Sequence, residues 1–202
     1  MLRDLSNKVA WVTGAGTGIG EAGAIALAQA GMRVVLSGRR EDKLKEVAAR
    51  CEGRAQIEVL DVADKDAVVQ VAQEIVSTYG RIDVLLASAG INVKDRNWHN
   101  VSYEDWDSVI RIDLDGAFYC CKAVLPTMKE RGEGLIINIS SWAGRFVNIT
   151  TGPAYTAAKH AMNAMTESLN MEACTYVPTA CAPVPFVLEK WPHRYWTIAL
   201  FP

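Results

Sequence analysis

The sequence has no apolar run approaching the roughly 18 residues a membrane span requires. It has no excess of either charge, since 21 basic and 23 acidic residues leave a net charge of −2. That balance gives no electrostatic footprint for nucleic acid or an anionic membrane. Residues Met1 to Lys8 lack the apolar core of a secretory signal. The five cysteines, Cys51, Cys120, Cys121, Cys174 and Cys181, are an odd set without metal-ligand spacing. They read as reduced thiols of a cytoplasmic protein, neither a disulfide framework nor a zinc site. No glycine follows Gly152, although the chain has 15. What remains is a 202-residue chain, half of it apolar, which is material for one domain with a sizeable core.

Short apolar runs rich in β-branched residues alternate with helical stretches. Val9–Thr13, Arg33–Ser37, Gln56–Asp61, Val84–Ala87 and Leu135–Ser140 have the look of parallel strands buried on both faces. Lys65–Tyr79 carries Val68, Ala72, Ile75, Val76 and Tyr79 at helical spacing. Ser102–Lys129 is expected as one long helix, with Pro126 bending its end. Ala154–Ala173, rich in Ala, Met, Leu and Glu, is expected as another. This order predicts an α/β fold, a Rossmann-type doubly wound parallel sheet, with a ligand crevice at the carboxyl ends of the strands.

Thr13-Gly14-Ala15-Gly16-Thr17-Gly18-Ile19-Gly20 follows the first strand and opens the first helix. Glycines there let the backbone approach a pyrophosphate, and the helix N-terminus supplies free N–H groups. Gly14, Gly16, Thr17, Gly18, Ile19 and Gly20 are therefore candidate dinucleotide contacts; the plainer reading is a turn that packs helix on strand. The second strand ends Ser37-Gly38-Arg39-Arg40, without the acid that would bind ribose hydroxyls. A guanidinium pairs with a 2′-phosphate, so Arg39 favours NADP, with NAD the alternative. Asp61, followed by Val62, ends the third strand, where its carboxylate either accepts from an adenine amino group or caps the next turn.

Tyr155 and Lys159 stand four apart on one helix and share a face. Ser141 follows the fifth strand, beside the expected crevice. A tyrosine hydroxyl, with pKa about 10, is a poor base at neutral pH, and a neighbouring ammonium favours its phenolate. Serine can hold a substrate oxygen. This trio suits hydride transfer with proton exchange at an alcohol or carbonyl. No metal is called for.

Over roughly residues 7–173 these motifs resemble the short-chain dehydrogenase/reductase family, in its short single-domain branch. The resemblance implies Ser141 as ligand of the substrate oxygen, Tyr155 as acid/base, and Lys159 as both tuner of Tyr155 and ribose clamp. The family's Asn-Asn-Ala-Gly turn after the fourth strand stands here as Ala87-Ser88-Ala89-Gly90, which implies cofactor contacts at Ser88, Ala89 and Gly90. A family asparagine, seven residues after a tryptophan, falls on Asp113, counted from Trp106. Aspartate accepts the same bond but adds a charge near Lys159, which opposes the lysine's effect on Tyr155. The resemblance also implies a small alcohol or carbonyl substrate, no nucleic-acid or membrane partner, and a homo-oligomer paired through the two long helices.

The last stretch departs from the family. Five of the seven prolines fall in the final 25 residues: Pro178, Pro183, Pro185, Pro192 and Pro202. The expected division is a catalytic Rossmann domain over 1–175, lacking the family's last strands, and an irregular tail over 176–202. Read one codon frame over, the tail permits Pro-Gly-Glu-Val-Ala-Thr, with Ala forced by Trp191-Pro192 and Leu by Tyr195-Trp196. This text has the family's own pattern, so the chain is expected to leave the family's frame near Cys174–Val177. With no further strand, Leu135–Ile139 is expected as an exposed apolar sheet edge that self-associates. The competing functional reading is a truncated dinucleotide binder without activity.

Overall fold

The computed structural model describes residues 5–176, 185–186 and 196–201. Seven strands form one sheet in the order β3-β2-β1-β4-β5-β7-β6. β1 (Val9–Thr13), β2 (Arg33–Gly38), β3 (Ala55–Val59), β4 (Val84–Ala87) and β5 (Gly134–Asn138) are mutually parallel. Their order reverses between β1 and β4, which is where a doubly wound sheet opens a crevice.

Alternation along the strands builds two apolar layers. Val9, Trp11, Val35, Leu85 and Ile136 face α3 (Lys65–Tyr79) and α5 (Gly116–Arg131), meeting Val68, Ile75, Val124 and Met128. Ala10, Val12, Val34 and Leu36 face α1 (Gly18–Gln29) and α2 (Glu41–Ala49), meeting Ala24, Ala28, Leu44 and Val47. The one polar group inside Trp11 is satisfied, because its Nε1 donates to Ser37 Oγ at 2.9 Å. Asp64 starts α3 by accepting from the N–H groups of Asp66 and Ala67, each at 3.0 Å, and Gly80 ends it in the left-handed region.

Below the strands, on their amino-terminal side, Asp83 ties three strands together. Its backbone bonds to Val9 and Leu135, and its carboxylate accepts from Val9 N–H at 2.8 Å and Arg131 Nη2 at 2.7 Å. Arg81 grips both oxygens through Nε, at 2.9 and 2.7 Å. The burial of Asp83 pushes its carboxyl up, but Arg81, the Val9 N–H and Arg131 outweigh it and hold the pKa at about 2.

The long helix expected over Ser102–Lys129 is broken in two. α4 (Tyr103–Ile110) and α5 are joined by a π turn, Arg111–Asp115. The helix runs through Pro126 to Arg131 and ends at Gly132. α6 (Pro153–Tyr176) packs against α4 and the π turn.

The expected open edge on β5 is corrected. β7 (Trp196–Phe201) pairs with it antiparallel, from Gly134 opposite Phe201 to Asn138 opposite Thr197. Trp196–Phe201 is a proline-free apolar run, so the upstream prolines do not stop it pairing. β6 (Pro185–Phe186) forms the sheet edge, where the missing proline N–H is tolerated. The irregular tail and the change of frame otherwise fall on residues 177–184, 187–195 and 202, outside the described residues. Among the described residues no helix is long and apolar enough to cross a membrane.

Candidate active site

At the carboxyl ends of β1, β2, β4 and β5 lies an open crevice of about 730 Å³. The glycine-rich turn forms one wall. Gly14 sits at φ +62, and a Cβ there would stand 2.7 Å from the Cα and N of Ala89. That contact brings the turn after β4 against the turn after β1. Gly14, Gly16, Thr17 and Ile19 line the crevice; Gly18 and Gly20 do not. Gly18 starts α1, and Gly20 is pressed on the Gly14 carbonyl, leaving no room for a side chain. Gly20 is thus a packing position, while a Cβ at Gly18, at φ +62, would stand in open space. Thr17 precedes α1 without capping it through its side chain, so the first-turn N–H groups are not taken by it. Its Oγ1 instead accepts from Arg40 Nη2 at 3.2 Å.

Arg39 and Arg40 are exposed at the rim, beside Leu44. Asp61 and Val62 line the opposite lip, and Asp61 Oδ1 accepts from Ala63 N–H at 3.0 Å. Of the two roles open to Asp61, turn capping is therefore made here. Ser88, Ala89 and Gly90 form the floor. The glycine cradle, helix N-terminus and rim guanidinia fit a dinucleotide with a phosphorylated or free ribose.

The deeper end holds Ser141, Tyr155, Lys159 and Asp113 together. Ser141 begins a short 3₁₀ turn, Trp142–Gly144, and its Oγ accepts from Ala143 N–H at 3.2 Å. Lys159 is buried on α6. Its Nζ donates to Ile139 O at 3.1 Å, lies 3.2 Å from Asp113 Oδ2, and sits 5.5 Å from the centre of the Tyr155 ring. The lysine charge is thus held against tyrosine by a carbonyl and a carboxylate.

Asp113 lies within the π turn and has no exposed surface. Its Oδ1 accepts from Ile91 N–H at 2.7 Å. Its Oδ2 faces the ammonium, yet the angles make no hydrogen bond. Burial raises this carboxyl above the ordinary aspartate value, although Lys159 and the Ile91 N–H pull the other way. Sequence reasoning missed Ser140, Ile139 and Arg40 as parts of the site. Ile139 acts through its carbonyl, which any residue there would supply, so no side-chain signal exists for it. Arg40 is adjacent to a residue already singled out, and only the turn geometry distinguishes the two.

A dinucleotide crevice carrying a serine, a tyrosine and a buried lysine defines a class, the nicotinamide-linked oxidoreductases of Rossmann fold. The family model described as short chain dehydrogenase matches residues 8–185, and the chain belongs to that family. An uncharacterized oxidoreductase of Staphylococcus aureus is 37% identical over 169 residues, 83% of this chain and 72% of its own. A metagenomic short-chain oxidoreductase solved in complex with NADP superposes with a TM-score of 0.82 at 35% identity, covering 86% of this chain and 79% of that one. An NAD+-bound xylitol dehydrogenase gives 0.81 at 30% identity, covering 86% and 68%.

Proposed function

We propose that the chain binds NADP in preference to NAD and uses it to interconvert a small alcohol and its carbonyl. The observation that carries this reading is the meeting of Ser141, Tyr155 and Lys159 in the crevice that the glycine-rich turn opens into. The nicotinamide supplies the hydride chemistry when bound. Ser141 donates a hydrogen bond to the substrate oxygen and fixes its position. Tyr155 exchanges a proton with that oxygen. Lys159, held by Ile139 O, sets its ammonium 5.5 Å from the centre of the tyrosine ring. Arg39 at the rim favours a 2′-phosphate, and Thr17 with Arg40 closes the turn beneath it. Cys51, Cys120 and Cys121 are free and buried, which suits a reducing cytoplasmic compartment.

We infer, too, that the tail over 176–202 departs from the reading frame of the catalytic part, a reading supported by the permitted family text alone. The nucleotide sequence of that segment tests it.

The enzymatic reading is tested by calorimetric binding of NADPH and NADH, followed by turnover on a panel of aldehydes and ketones. Tyr155→Phe should keep cofactor affinity and abolish turnover, because only the proton donor is removed. A Tyr155→Phe protein with near-full activity ends the reading.

A further inference from the structure

A fully buried carboxylate calls for a donor or a counter-charge, and Asp113 has one of each: the Ile91 N–H as hydrogen-bond donor and the Lys159 ammonium as an ion-pair partner at 3.2 Å. Oδ1 takes the N–H, and Oδ2 faces the ammonium without a hydrogen bond. Ionised, Asp113 sets a negative charge 3.2 Å from the Lys159 ammonium.

The surroundings are simple. From α6, Lys159 and Tyr155 are the titratable groups on this side of the crevice. The turn after β4 offers backbone, through the Ile91 N–H. The end of β5 offers the Ile139 carbonyl, which takes the lysine's other contact. Within the π turn, Arg111 is exposed and Asp115 half-buried. An unpaired ammonium 5.5 Å from the ring centre favours the phenolate of Tyr155. An ammonium with a carboxylate at 3.2 Å is nearly neutral as the ring sees it.

The geometry points to Asp113 as the counter-charge that keeps Tyr155 a hydroxyl at neutral pH, so that this site works as a proton donor in carbonyl reduction. The inference rests on the acid/base reading of Tyr155 given above. In that direction a hydride and its electron pair pass from the reduced nicotinamide to the carbonyl carbon. The carbonyl π pair moves to oxygen and takes the Tyr155 proton. The phenolate left behind recovers a proton from solvent. Asp113 acts through Lys159 and is a positioning residue.

The test is a titration of the cofactor-free protein carrying ζ-carbon-labelled tyrosine, read by NMR, with the Tyr155 resonance identified by its loss in Tyr155→Phe. Asp113→Asn should move the midpoint of that resonance about one pH unit lower, a roughly tenfold change in the equilibrium. Asp113→Ser, a second neutral replacement, should move it the same way. Asp115→Asn should leave it within a few tenths of a unit, about what a half-buried neighbour without an ion pair to Lys159 contributes. With NADPH and nitrobenzaldehyde as probes, the alkaline limb of the reduction rate should follow the midpoint. An unmoved midpoint in both folded Asp113 variants overturns the inference, and a lowered melting temperature without that movement does so equally. A wild-type protein inert toward every carbonyl tried would end the enzymatic reading, while the NMR titration would still decide this one.

Discussion

Replacing Asp83 by asparagine keeps its shape and removes its charge, and the cost follows from the pairing around it. The carboxyl is held at about 2 against an ordinary value of 3.8. By linkage, a downward shift of nearly two units corresponds to roughly 2.5 kcal/mol of stability at neutral pH. The loss of charge also strands Arg81 and Arg131, but both are partly exposed and take up water instead. The expected penalty for Asp83→Asn is therefore about 2 kcal/mol, a large share of a typical domain's stability. The sign with pH follows from the direction of the shift. Because the folded value is depressed, the contribution is complete above the unfolded value and fades as pH falls through the folded one. Urea unfolding followed by circular dichroism should give a gap of about 2 kcal/mol between wild type and variant near pH 7 and pH 5. Near pH 3 the gap should be about half that, and near pH 2 it should almost close, as the wild-type carboxyl takes its proton. A neutral-pH gap under about 0.5 kcal/mol, or one that is constant from about pH 5 to 2, refutes the account.

Arg39→Asp should weaken NADPH binding far more than NADH binding, and equal losses would sink the NADP preference. Gly14→Ala forces a methyl to within 2.7 Å of the Ala89 backbone at φ +62; melting should show a cost above about 2 kcal/mol, together with loss of nucleotide binding. A Gly14→Ala protein that binds NADPH normally would contradict the cradle. Inside, Cys121 Sγ donates to Asn138 Oδ1 at 3.4 Å, and Asn138 Nδ2 donates to Thr166 Oγ1 at 2.9 Å, joining β5 to its flanking helices. Asn138→Ala should cost about 2 kcal/mol in urea unfolding, and a change within about half a kcal/mol would show that the network carries no weight.

The parallel part of the sheet was readable because its strands are apolar on both faces and are punctuated by glycine and aspartate. The boundaries slipped where function intrudes. β5 was expected to reach Ser140 but stops at Asn138, because the Ile139 carbonyl turns to Lys159 and Ser140 turns into the crevice. β3 stops at Val59, although the Leu60 N–H still bonds to the Gly38 carbonyl at 3.0 Å, and Asp61 is left at the lip of the crevice. The trio was legible from the Tyr155–Lys159 spacing and from the place of Ser141 after a strand. The π turn was not legible, since Arg-Ile-Asp-Leu-Asp has no helix breaker and its distortion goes with contacts that Asp113 makes far away in sequence. β7 was hidden by the prolines around it, which say where a strand cannot run and nothing about the six residues between them.

The π turn also keeps time along the rod that α4 and α5 form. Val109 and Met128, both fully buried, lie nineteen residues apart on either side of it. In an uninterrupted α-helix, at about 100° per residue, that separation would leave them roughly a quarter-turn out of phase. The π turn takes up about one extra residue, with Val109 packed on α6 and Met128 in the layer against the sheet. Excising a single residue from 111–115 would restore ideal helical bonding and spoil the phase. Either Val109 would swing off the Ala154 and Ala158 face of α6, or the α5 residues would leave the sheet. The slip that aims Asp113 at Lys159 is thus the same slip that lets one rod serve two partners.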